Sequence, residues 1–360
     1  MTKYTILVAS YTNSIVSLAF DTDKPTELTT VSSTDVGHHP SWITAHPEDP
    51  NLVVTGLEQS DGKIVTLKYD AATGKGQVVS EVTSGGRDPC TLLVLPESKE
   101  VLVGNYSSGS VYVAPISTND PFVASTGYTV SFTGTGPNQS RQEGSHPHQV
   151  IKHPEYNELF VPDLGADVVR RLKKDPSSGQ WKPAGHIGFE LGGGPRHVAF
   201  YKGDLFTILE LSSKVVRHTL PPLPEAPKFV ASVPTMSNPP PTPNDMLAAE
   251  IYIPTPNASF PTAYLYLSNR NDPSPEGDII SIFAIENPEE PLKLIKEVRT
   301  GLKHVRGMEF FGDDDRYLVA GGGRGGGAKI YERVDGGKDL KLLAENPSVE
   351  APTGFRVLKA

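Results

Sequence analysis

The amino-acid sequence predicts an all-β fold, a seven-bladed β-propeller. A strand-rich unit of roughly fifty residues recurs along the chain. Sustained helical periodicity is absent. The 34 glycines and 33 prolines are spread over all 360 residues, as many short strands joined by tight turns require. Length alone would argue for two domains, but a propeller grows by adding blades around one axis. Residues 1–360 are therefore read as one domain.

The repeat shows first in a lead-in segment. Gly37-His38-His39-Pro40 runs to Ala45-His46-Pro47, Gly86-Arg87-Asp88-Pro89 to Leu95-Pro96, and Gly144-Ser145-His146-Pro147 to His153-Pro154. Weaker copies are Gly193-Gly194-Pro195-Arg196-His197, His304-Val305-Arg306-Gly307 and Ala351-Pro352-Thr353-Gly354. Each leads into a β-branched strand, a polar turn and another strand, as at Val101–Val113 and Leu159–Val169. A degenerate copy at Leu247-Ala248-Ala249-Glu250-Ile251-Tyr252 fills the one double-length step. The last copy has no room for the rest of its blade. The strands Tyr4–Ser10 and Ile15–Asp21 are expected to complete it, so that the two chain ends close the ring and remove two exposed edges.

Two stretches depart from the repeat. Prolines 221, 222, 224 and 239–241 bracket residues 217–247, read as an irregular insertion outside the blades because proline cannot donate within a central strand. The turn Asn271–Gly277 is a second insertion.

Composition narrows the function. A formal net charge of −9 argues against nucleic acid as a partner. No stretch approaches the roughly 18 apolar residues of a membrane helix, and the N-terminus turns polar too early for a secretory signal. Cys90 is the only cysteine, so no internal disulfide forms and a reducing, cytoplasmic location is expected. The sequons at Asn105, Asn138 and Asn257 then occur by chance. No cofactor fingerprint is present, and no cofactor or metal is expected. His146 and His148 share a strand face and could join Asp163 on a metal, but no further ligand cluster accompanies them. The glycine runs 321–323 and 325–327 around Arg324 lie between strands, which favours a hairpin over a phosphate cradle.

Equivalent positions in a propeller form rings around its axis. The residue after the lead-in proline begins the innermost strand, which gives Ser41, Cys90, His148, Arg196, Ala248, Arg306 and Thr353. Arginine near a crowded axis is costly unless it is paired or holds an anion. A second ring at the end of the second strand holds Glu58, Asn105, Asp163, Glu210 and Asn269, with Arg270 beside it. Turn chemistry accounts for Asn and Asp there, but less well for Glu210.

These residues resemble the propeller lactonases of the bacterial 6-phosphogluconolactonase type and fungal 3-carboxy-cis,cis-muconate cyclase. The stretches that carry the resemblance are Gly104–Val111, Arg141–His148, Val161–Asp167, Gly194–His197 and Leu267–Arg270. It implies an active site of His148, Arg196, Glu210 and Arg270. Arg306, Arg141, Asp163, Asn105 and Asn269 are read beside it as substrate-binding candidates. The implied activity is opening of an anionic sugar lactone. Arginines would grip the anion, and Glu210 or His148 would serve as general base while the other serves as acid. Cyclisation of a carboxy-muconate is the alternative, and a non-enzymatic scaffold the third reading. The expected partner is a small anionic substrate, and the expected state a monomer or weak homo-oligomer.

Overall fold

The computed structural model describes residues 2–359, which form seven four-stranded antiparallel sheets. Blade 1 joins the two chain ends: Pro352–Lys359 is its inner strand, followed outward by Lys3–Ser10, Ser14–Asp21 and Leu28–Asp35. Lys3–Ser10 pairs antiparallel with Pro352–Lys359 over the whole strand. The inner strands of blades 2 to 7 are Pro40–His46, Pro89–Leu95, Ile151–Lys152, Pro195–Tyr201, Ala248–Tyr252 and Lys303–Phe311. No helix among the described residues is long and apolar enough to cross a membrane.

The core lies between blades, leaving the axis to polar groups. Leu7 and Ile15 of blade 1 pack against Val53 and Val65 of blade 2. Phe206 and Ile208 of blade 5 pack against Leu265 and Phe283 of blade 6. Each fully buried side chain of this kind contributes about 1.5–3 kcal/mol. Second strands are buried on both faces, whereas the outer strand Lys75–Thr83 alternates exposed and half-buried residues.

The insertion read at 217–247 is shorter than the prolines imply. Lys214–Thr219 and Lys228–Pro234 are the third and outer strands of blade 5, and only the stretch after Pro234 links to blade 6. An outer strand pairs on one side only, so Pro234 at its end costs no ladder hydrogen bond.

One local device repeats and positions the site. Two residues before the first-ring position the backbone is left-handed in five blades: His39, Asp88, Gly194, His304 and Ala351 have φ of 54°, 56°, 67°, 66° and 43°. A register shift follows at once, so Ser41, Cys90, Arg196, Arg306 and Thr353 are bulged out of the ladder. A bulge re-aims its side chain, and here the bulged residues crowd the axis. In blade 6 the register runs from Ala248↔Asn269 to Ile251↔Leu267. Ala248 therefore takes the proline position, and the ring residue is Ala249, one later than the sequence reading. That blade lacks the lead-in proline that marks the position in blades 1 to 5.

Candidate active site

The second ring is defined by a hydrogen bond that recurs in six blades. The N–H of Tyr11, Glu58, Tyr106, Leu164, Glu210 and Arg270 donates to the carbonyl of Ala351, His39, Asp88, His146, Gly194 and Leu247 respectively, at 2.7–3.0 Å. Asn105, Asp163 and Asn269 each precede a ring member by one residue. Strand side chains alternate faces, so these three point away from the ring and form clamps between blades. Asn105 Nδ2 donates to the Ser84 carbonyl and its Oδ1 accepts from Ser84 Oγ, at 2.8 and 2.9 Å. Asp163 accepts from Ser145 Oγ, the His146 N–H and Arg170 Nε. Asn269 Oδ1 accepts from Thr235 Oγ1 at 2.6 Å. The structure does not bring these three to the axis, and their asparagine and aspartate chemistry serves blade closure.

Glu210 is the hub of what it does bring together. Its Oε2 lies 3.0 Å from Arg196 Nε and 2.8 Å from Arg270 Nη2, and its Oε1 accepts from Arg141 Nη2 at 2.5 Å. Arg196 and Arg270 reach it from the first and second rings. Arg141 comes from the loop between blades 3 and 4, which the buried Gln142 anchors to the Leu164 carbonyl and Asp167 Oδ1 at 2.9 and 2.7 Å. Burial pushes the Glu210 carboxyl up, but the guanidiniums of Arg270, Arg141 and Arg196 outweigh it and hold the carboxyl far below the ordinary range. A carboxylate so stabilised is a poor proton acceptor. Its two oxygens fix three arginines.

Two further residues belong here that sequence reasoning missed. Glu250 Oε1 lies 3.2 Å from Arg196 Nη1, and its Oε2 lies 2.8 Å from His197 Nδ1. Glu250 stands in the degenerate blade, where the one-residue offset hid its alignment with His197. A carboxylate within the apolar run Ala248–Tyr252 was the available signal. Arg306 pairs with Glu58 at 3.2 Å, donates to the Ser41 carbonyl at 3.0 Å and lies over the Tyr11 ring.

His148 completes the group. Its ring stands 5.2 Å from that of His197, edge to face, and its Nδ1 is buried without a protein partner. Arg196 Nη2 and His197 Nε2 are also buried and unpartnered. Native proteins leave few buried polar atoms unpaired, and three such nitrogens lie together here. Burial, then the charges of Arg196, His197 and Arg306, drives His148 well below the usual imidazole value, so its ring is neutral at neutral pH. His146 is separate: its ring stacks on Tyr106 at 4.3 Å, with Nδ1 3.0 Å from the Tyr106 carbonyl and Nε2 3.2 Å from Glu143. A cleft of about 420 Å³ opens at the mouth beside Arg141 and Leu247. Another of about 450 Å³, lined by Phe189, His218 and Phe229, lies on the outer strands of blade 5 and contains none of these groups.

The architecture is that of a known group, since residues 5–357 match the family described as Lactonase, 7-bladed beta-propeller. The chain belongs to that family. Among lactonase relatives, it is 27% identical over 367 residues to 6-phosphogluconolactonase of Bacillus subtilis, covering 99% of each chain. It is 28% identical over 330 residues to 6-phosphogluconolactonase of Formosa agariphila, covering 89% of each. Its fold is similar to that of the periplasmic gluconolactonase of Pseudomonas aeruginosa, with a TM-score of 0.82, 20% identity, and 99% of each chain covered. The lactonase fold is thus shared across nearly the full chain.

Proposed function

We propose that this chain hydrolyses an anionic sugar lactone in the manner of a 6-phosphogluconolactonase. The observation that carries the reading is the convergence of Arg141, Arg196 and Arg270 on the single buried Glu210, beside the unpartnered nitrogens of His148, His197 and Arg196. Family membership and the names of the two sequence relatives support lactone chemistry.

The mechanism assigns His148 as the base, since its ring is neutral with Nδ1 unpartnered, whereas both Glu210 oxygens are engaged by arginines. His148 takes a proton from water as the water oxygen bonds the lactone carbonyl carbon. The carbonyl oxygen becomes an oxyanion facing Arg196 Nη2, with Arg270 adding positive charge. Such donors, fixed before the reaction, each contribute on the order of 10²–10³ in rate. Collapse breaks the ring C–O bond, and His148 returns its proton to the departing alkoxide to give the hydroxy acid. Glu250 holds both Arg196 and His197 in place, and the His197 Nδ1–H bond to it directs the Nε2 lone pair outward.

The test is a substrate panel of 6-phosphogluconolactone, gluconolactone and carboxy-cis,cis-muconate. Hydrolysis of the lactones, fastest for the phosphorylated one, is expected. Muconate turnover alone would replace the hydrolase reading with a cyclase, and turnover of none would leave a scaffold.

A further inference from the structure

The second ring has one gap, and the surroundings of that gap are basic. In blade 7 the register pairs Val305 with Gly322, so the position equivalent to Glu210 and Arg270 is Gly323. A Cβ there would stand 3.4 Å from His304 Cδ2, the His304 carbonyl and the Pro352 carbonyl. Glycine supplies no side chain at this ring position between Arg270 and Tyr11, and the left-handed His304 lies against it. The glycine runs around Arg324 form the hairpin between strands Tyr317–Gly325 and Gly327–Val334, turning through Gly326 at φ 91°.

Arg324 follows the open position and is held over it. Its Nη1 donates to Asn271 Oδ1 at 3.1 Å, and the same oxygen lies 2.8 Å from His304 Nδ1. Asn271 is the neighbour of Arg270 and donates to the Asp245 carbonyl at 2.8 Å. Lys303 reaches the same 271–277 turn, donating to the Ser274 carbonyl at 2.5 Å. Neither Arg324 nor Lys303 has a carboxylate partner among the described residues, whereas Asp272 of that turn is taken by Arg299 at 2.5 Å. His304 feels this field: burial, then Arg270, Arg324, Arg306 and Arg196, pushes it down to about 3, so it is neutral and competes for no anion's charge.

Charge balance points the same way. Within the site, Arg141, Arg196, Arg270 and Arg306 face Glu58, Glu210 and Glu250, an excess of one positive charge. Arg324 at the rim adds a second. A phosphate monoester carries roughly −1.5 to −2 at neutral pH, while the lactone ring it accompanies is uncharged.

We propose that the open position in blade 7, flanked by Arg324 and Lys303 with Asn271 and His304 fixing the guanidinium, is the subsite for the phosphate of a phosphorylated sugar lactone. This assignment rests on the lactonase reading and adds which part of the mouth selects the phosphorylated substrate. It also gives the glycine hairpin and the 271–277 turn a shared purpose that blade closure does not explain.

The test compares wild type with Arg324→Gln on two lactones and on their products. The ratio of kcat/KM for 6-phosphogluconolactone over gluconolactone should fall by about 10–100-fold in the variant, chiefly through KM. Lys303→Gln should lower the ratio less, and Lys24→Gln, an exposed lysine paired with Glu27, should leave it unchanged. An unchanged ratio in Arg324→Gln would overturn the subsite. If wild type opened neither lactone, the lactonase reading would fail, and calorimetry would decide the subsite separately. The subsite stands if 6-phosphogluconate binds more tightly than gluconate and Arg324→Gln abolishes the difference. Equal affinities in wild type would sink it.

Discussion

Blades 5 and 6 and blades 2 and 3 offer the same positions to the axis and fill them oppositely. The bulged residue is Arg196 in blade 5 and Cys90 in blade 3. At the end of the second strand stand Glu210 and Arg270 on one side, and Glu58 and Tyr106 on the other. Burial pushes the Cys90 thiol up to about 12, and burial with Glu210 nearby pushes the Tyr106 hydroxyl up to about 12. Both are neutral. The charged half, by contrast, balances Arg196, Arg270 and Arg141 against Glu210 and Glu250. His148, in blade 4, stands at the boundary between the halves. The bulge recurs in both halves, although blade 6 lacks the left-handed residue before it, and side-chain choice polarises the mouth, with the proposed base where the polarity changes.

The sharpest way to break this contrast is at the boundary. His148→Gln should lower kcat/KM on 6-phosphogluconolactone by about 10²–10⁴-fold, with the circular dichroism of the fold retained. Initial rates measure it, and near-wild-type activity would remove His148 from the chemistry.

Next comes the hub of the charged half. Glu210→Gln leaves Arg196 and Arg270 buried without their shared carboxylate, and breaking a buried pair costs about 3–5 kcal/mol. Urea unfolding should show that loss. An unchanged unfolding midpoint would remove Glu210 from the role of hub.

A smaller effect separates the adjacent residue face. Asn105→Ala removes the Ser84 clamp and leaves a buried hydroxyl and carbonyl short of partners, costing about 1–3 kcal/mol. Activity per folded molecule should be unchanged, since Asn105 points away from the ring. A selective rise in KM would return Asn105 to the binding site.

The mildest probe is pH. His148, His197 and His304 are all held below the ordinary imidazole value, first by burial and then, for His148 and His304, by arginines. Once the pH falls below about 6.5, the unfolded chain binds protons that the folded one refuses. Stability should therefore decline as pH drops through that point, continuing toward about 3 for His304. It should be fully present above it. Thermal unfolding between pH 8 and 5 checks the sign. The acid limb of kcat/KM should likewise lie below 6.5, because His148 stays neutral there.

Much of this was legible without coordinates. Lead-in prolines fell at a fixed phase in blades 1 to 5 and the repeat carried that phase to blade 7, so His148, Arg196 and Arg306 could be placed on one ring. Glu210 stood out because glutamate is a poor turn former. Where the markers failed, so did the reading. Blade 6 has no lead-in proline, which shifted Ala249 by one and hid Glu250. Proline content overstated the insertion at 217–247, because an edge strand tolerates prolines at its ends. Asn105, Asp163 and Asn269 were grouped with Glu210 because all four end the same kind of strand.

By itself the sequence determined the repeat, the blade count and the types of residue that reach the mouth, because these follow from local spacing and strand propensity. Only the tertiary structure decided which neighbours face the axis. A bulge of one residue reverses side-chain direction without any mark in the sequence. Arg141, Arg196 and Arg270 meet on Glu210 only because ring closure brings three separate segments to one carboxylate.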